Sequence, residues 1–205
     1  MQKVLAAFFM LVSGLFAEGF MRYEAPAIKP FGTYAHLAPR PPVKMMPSEG
    51  GYSEPFVQLA RAYANTPVEY EHLKAVTLAM MILESGRGGS DLARKHYNFG
   101  GLKYRPEMQP FASKVRYNAS DGIDHYCKFD SVESFIGGFW AFLDRRPYQG
   151  WRNKAASERA FIEFIAPIYC PFNPNYADHV MALVPEAKEL LNRYADDGFR
   201  VAMLR

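Results

Sequence analysis

Residues 82–90 read Ile-Leu-Glu-Ser-Gly-Arg-Gly-Gly-Ser, a carboxylate at the end of an apolar run with a glycine-rich turn directly behind it. A helix C-terminus carries negative partial charge, which raises the cost of an ionised side chain there. The neighbours Met80, Met81, Ile82 and Leu83 add desolvation in the same direction. A carboxylic acid held protonated near neutral pH is the group that acid-catalysed cleavage of a glycosidic bond needs, because the departing sugar oxygen must take up a proton. The competing reading of Glu84 is a solvated residue at a fraying helix end. Further along the chain, Asp121 and Asp124 are carboxylates set close together. Asp121 stands in Ala119-Ser120-Asp121-Gly122, where turn geometry alone would select an aspartate.

Other chemistries find no support. The five histidines (His36, His72, His96, His125 and His179) lack metal-ligand spacing, and serine-hydrolase and phosphate-loop patterns are missing. No metal and no cofactor is expected. Lysines and arginines are scattered and the net charge is only +3, so nucleic acid is not an expected partner. Tyr104, Tyr148 and Trp151 are candidate platforms for stacking on sugar rings, and Asn98 is a turn cap that would also reach sugar. Each aromatic has a plain alternative in the core, and a 15% aromatic share fits either use.

These residues need elements to hold them. The spacing of Phe56, Leu59, Ala60 and Tyr63 predicts a helix over 53–64. Thr66, Pro67 and Glu69 have the pattern of a capping box, predicting a buried helix from Pro67 to about Glu84 that Gly86 terminates. Ser90 and Asp91 open a short helix. Residues 113–129 alternate around Ala-Ser-Asp-Gly and predict a β-hairpin. Asp130 and Glu133 open the next helix, whose stripe is Val132, Phe135, Ile136, Phe139, Trp140 and Leu143. A further helix covers 157–166, and a last one begins at Asn173–Pro174, with Pro185 kinking or splitting it. The expected class is α+β and mainly helical, one domain over 52–205.

Ahead of it, Lys3 precedes an apolar run from Val4 to Ala17, read as a signal peptide or, uncleaved, as an N-terminal anchor over 1–17. Either implies export to the periplasm, cell envelope or exterior. Residues 18–51 carry six prolines and read as a tether or strap. Cys127 and Cys170 are the only cysteines, either a disulfide or two small buried side chains.

Four stretches occur in order: Glu84-Ser85-Gly86-Arg87-Gly88, then Asn98-Phe99-Gly100-Gly101-Leu102-Lys103, the hairpin running into Cys127-Lys128-Phe129, and Tyr169 to Ala177. Together, over about 52–184, they resemble the glucosaminidase domains of glycoside hydrolase family 73. The resemblance implies a lysozyme-like domain with a small hairpin lobe and peptidoglycan glycan strands as substrate, cut after N-acetylglucosamine. It places the general acid on Glu84 and an assisting tyrosine on Tyr176, where the tyrosine would hydrogen-bond the reacting sugar or its N-acetyl group. It also implies a second carboxylate on the hairpin lobe, to activate water or stabilise positive charge, for which Asp124 and Asp121 are the candidates. Asn98, Tyr104, Trp151 and Tyr169 are the candidate sugar contacts. A monomer is expected, with no protein partner specified. Arg87 replaces an aromatic and Gly100 a common phenylalanine, which bears on how a sugar sits beside the acid. The alternatives are lysozyme or lytic transglycosylase specificity on the same fold, and a wall-binding module without turnover.

Overall fold

The computed structural model describes residues 51–119 and 122–196. The signal or anchor expected over 1–17, nearly all of the proline-rich strap, and Asp121 lie outside the described residues. Helix α1 (Glu54–Asn65) starts where Ser53 Oγ accepts the Phe56 N–H at 3.4 Å, and it buries Phe56, Leu59, Ala60 and Tyr63. Its end differs from expectation. Thr66 caps nothing downstream; it is extended, as a residue before proline prefers, and its hydroxyl donates back to Ala62 O at 2.8 Å. Glu69 is drawn to Arg152 at 3.1 Å, and Glu71 takes the capping role by accepting the Val68 N–H at 2.8 Å. A 3₁₀ turn (Glu71–Leu73) therefore precedes α2 (Lys74–Ser85), and the central helix begins seven residues later than the proline suggested.

Helix α2 is buried almost all round. Even Lys74 is covered, its ammonium 2.8 Å from Glu71 and above the Tyr63 ring. Gly86, left-handed at φ 56°, ends the helix as expected. Ser90 caps α3 (Asp91–His96), accepting the Ala93 N–H at 3.2 Å. Strands β1 (Ser113–Ala119) and β2 (Gly122–Lys128) form the antiparallel hairpin, in register from Ser113↔Lys128 to Ala119↔Gly122. The segment 102–104 runs beside β2: Cys127 N donates to Leu102 O at 2.9 Å and Tyr104 N to His125 O at 2.8 Å.

Ser131, one residue later than expected, caps α4 (Val132–Leu143). Helix α5 (Glu158–Tyr169) runs three residues past the expected end. Asn173 and Pro174 form a turn, with Asn175 N donating to Asn173 Oδ1 at 3.1 Å, so α6 (Tyr176–Tyr194) begins at Tyr176. Pro185 neither splits α6 nor ends it. The lost backbone bond is offset by Val180, Val184, Ala187 and Leu190, which bury one face of α6 in the core. Helices α2 and α6 pack along each other, with α1 against α6 and α4. Cys127 and Cys170 are both buried and form no disulfide with each other, and burial pushes the Cys127 thiol up to about 12.

The expected class, mainly helical with one small hairpin, is the one observed.

Candidate active site

Glu84 occupies the last turn of α2, half-buried. The turn behind it is sewn from within: Ser85 Oγ donates to Met81 O at 2.6 Å and accepts the Gly88 N–H at 2.8 Å. Arg87 N donates to Ile82 O at 3.0 Å. Facing Glu84 is the Gly100–Gly101 turn. A methyl group on Gly101 would lie 3.9 Å from Glu84 Oε2, and Gly101 has φ +61°, which favours glycine on backbone grounds as well.

Asn98 builds that turn. It is 1% exposed, its Nδ2 donates to Leu102 O and to Cys127 O at 2.9 Å each, and its Oδ1 accepts Leu102 N at 2.8 Å. The amide is thus committed to backbone, tying the turn to β2. The expected sugar contact is replaced by a positioning role.

Gly100 is required by its neighbours. A Cβ there would stand 2.8 Å from Tyr169 Oη and 3.0 Å from Leu102 Cδ2. The Tyr169 hydroxyl fills that space and donates to Gly100 O at 2.6 Å. Its ring stacks on Tyr176, centroids 5.9 Å apart and planes 25° from parallel. Tyr176, at the first position of α6, is 1% exposed. Burial first and the Glu84 carboxylate second hold its hydroxyl well above the ordinary tyrosine range. The two groups are within mutual reach, yet the hydroxyl makes no hydrogen bond of good alignment. Glu84, Tyr176, Tyr169 and the Gly100–Gly101 turn form one cluster drawn from three helices and a loop.

Asp124 belongs to the hairpin side. Its carboxylate lies 3.1 Å from the Nζ of Lys103, which is 5% exposed, and accepts the His125 N–H at 2.7 Å. Burial raises its pKa, but the His125 amide and Lys103 outweigh that, so it stays ionised below the usual carboxylate range.

The model of a family described as mannosyl-glycoprotein endo-beta-N-acetylglucosaminidase matches residues 60–189, more than half of the chain. The chain belongs to the glucosaminidase family. Among solved structures, it is similar to a peptidoglycan hydrolase from Sphingomonas sp. A1, at 18% identity and a TM-score of 0.46, over 70% of this chain and 91% of that one. It is also similar to the catalytic domain of the autolysin Auto from Listeria monocytogenes, at 21% identity and a TM-score of 0.42, over 68% of this chain and 81% of that one. Among curated protein sequences, none matches.

Two further expectations for this glucosaminidase are settled by burial. Trp151 is 2% exposed. Its ring packs on Tyr70, Trp140 and Phe161, and its Nε1 donates to Asp144 Oδ1 at 3.0 Å. Tyr148 is equally covered. Neither offers a face to a sugar, and both take the core alternative. Tyr104 is half-buried and keeps an open side, while its carbonyl accepts Arg105 Nη1 at 2.7 Å. A separate depression of about 480 Å³, lined by Glu54, Gln58, Arg61, Tyr97 and Glu133 among others, shares no residue with the Glu84 cluster.

Sequence reading missed Lys103 as the partner of Asp124; the signal was its place directly after the Asn98–Leu102 turn. It also missed Glu186, whose partner Arg87 lies 99 positions away, and no local pattern announces such a pair.

Proposed function

We propose that this glucosaminidase is an exported peptidoglycan hydrolase that cleaves the glycan strand after N-acetylglucosamine, with Glu84 as general acid. The observation that carries the reading is the half-buried Glu84 beside a buried, poorly satisfied Tyr176 hydroxyl. A polar group in that state in a native protein calls for an explanation, and a catalytic role is one of the recognised ones. Family membership supports the substrate class, and the apolar run after Lys3 supports export.

In this mechanism Glu84 gives its proton to the glycosidic oxygen as the C1–O bond breaks. The substrate's N-acetyl carbonyl oxygen closes on C1, forming a cyclic oxazolinium. Water then attacks C1 while the Glu84 carboxylate takes its proton, so the glutamate ends as it began. Tyr176 donates to the sugar or its N-acetyl group once substrate fills the cleft. The ionised Asp124, held by Lys103, is a weak base, and its role is to stabilise positive charge near the anomeric carbon.

That pairing of Asp124 also favours a second reading, a lytic transglycosylase, which needs a single acid–base glutamate. One experiment separates them. Purified sacculi are digested with the full chain and with Glu84→Gln, and the products are identified by mass. Reducing-end N-acetylglucosamine, lost in the variant, supports the first reading; an anhydro sugar supports the second. Sacculus binding without cleavage by the wild type would defeat both.

A further inference from the structure

We propose that the ion pair between Arg87 and Glu186 is a positioning device that holds Tyr176 in register with Glu84. Its catalytic consequence rests on the reading of Glu84 as the acid; its geometric content does not.

Glu84 and Tyr176 sit on different helices, and no aligned hydrogen bond between them fixes their separation. Tyr176 is the first residue of α6, behind a turn that leaves Phe172 exposed. Its setting therefore depends on how α6 as a rigid rod lies along α2. The contact between those helices is largely apolar, an attraction that is not itself directional. A fork-to-fork ion pair is directional.

The structure supplies one at the needed place. Arg87, three residues after Glu84, donates from Nε to Glu186 Oε1 and from Nη2 to Oε2, both at 2.8 Å. Tyr52 adds a third donor, its hydroxyl 2.6 Å from Oε1. Arg87 is held in turn: its N–H donates to Ile82 O, and its carbonyl accepts Ser53 N, each at 3.0 Å. Its backbone is left-handed at φ 55°, uncommon for a non-glycine residue. Glu186 is ten residues along α6 from Tyr176, about 15 Å of helix. The helix is thus pinned at a second point, to the same turn that follows the acid. The side chains are 37% and 27% exposed, where a pair adds little to global stability, while its two-pronged geometry still opposes local displacement.

The test uses the full chain, with Arg87→Lys, Arg87→Ala, Glu186→Ala and the double alanine variant. Arg87→Lys keeps the charge and removes the fork, which protects against a variant that merely fails to fold. Expected is a kcat on sacculi about tenfold to a hundredfold lower with KM little changed, and a double variant no worse than either alanine variant alone. Unchanged kcat in the folded variants overturns the proposal, as does a loss in the double variant equal to the product of the single losses.

A second readout needs no turnover. The ring Cζ carbon of Tyr176 is followed by NMR in protein carrying ¹³C-tyrosine, assigned with Tyr176→Phe. In the wild type, Glu84→Gln moves this signal; in the Arg87→Lys background the same change moves it far less. An equal displacement in both backgrounds overturns the positioning role even if the protein proves to cleave no glycan, an outcome that would by itself count only against the function proposed above.

Discussion

Tyr63 and Tyr176 are both buried, both lie against α2, and both have a hydroxyl held above the ordinary range by burial. Tyr63 meets Thr77 Oγ1 at 2.7 Å, and the Thr77 hydroxyl donates a hydrogen bond to Leu73 O at 2.8 Å. The Tyr63 hydroxyl is thus satisfied within the core. Tyr176 faces a carboxylate with no aligned bond. An unmade hydrogen bond in the interior is costly, and a group completed by a bound ligand is one reason a folded chain keeps one. The difference between the two tyrosines separates framework from site more clearly than burial does, since burial is the same in both.

The strongest way to break this contrast is through the carboxylate. Glu84→Gln removes the proton donor and should lower glycan cleavage by about 10²- to 10⁴-fold, the usual share of a general acid, with an unchanged circular dichroism spectrum. Retained muropeptide release by a folded variant would make Tyr176 a packing residue after all. Next in size is Gly100→Ala. The added methyl meets the Tyr169 hydroxyl at 2.8 Å, and such overpacking costs about 1–3 kcal/mol. Thermal unfolding should show that loss, together with reduced turnover as Tyr169 and the stacked Tyr176 shift.

The direct comparison comes from removing each hydroxyl. Tyr63→Phe should cost about 1 kcal/mol of stability, a typical buried hydrogen bond, and leave turnover alone. Tyr176→Phe should leave stability unchanged or slightly raised while turnover falls. Unfolding midpoints and sacculus assays on the pair check both halves, and the reverse pattern would exchange the roles assigned here.

The smallest effect lies in acid. Burial raises the Glu186 pKa, but Arg87 and Tyr52 outweigh it and hold it below the ordinary 4.5. With the folded value below the unfolded one, its stabilisation is complete above the unfolded value and drains as pH falls through the folded one. Glu186→Gln should therefore lower stability slightly at neutral pH, where that contribution is whole, and leave it unchanged in strong acid, flattening part of the acid-side fall. Asp124 and Asp144 titrate with the same sign and leave the rest of the slope in place.

Local signals were legible wherever the chemistry is local. Gly86 as terminator, Ser90 as cap and the 113–129 alternation each act within a few residues, and each is where the pattern put it. The pattern failed where a distant partner competed. Glu69 could not complete a capping box because Arg152, 83 positions away, holds it. Pro185 could not split α6 because the burial of one helix face outweighed one lost backbone bond. Trp151 has the same identity whether it faces a sugar or the core; the packing of Tyr70, Trp140 and Phe161 decided it.

The order of the motifs in this chain determined the family, the mainly helical class and the place of Glu84 at a helix end, because each depends on residue type and short spacing. Which carboxylate has a partner, which tyrosine lacks one, why Gly100 bears no side chain and what Arg87 reaches were decided only by the tertiary structure. Those are properties of pairs far apart in the chain. A hydrogen bond acts over about 3 Å, and only folding brings such atoms to that distance.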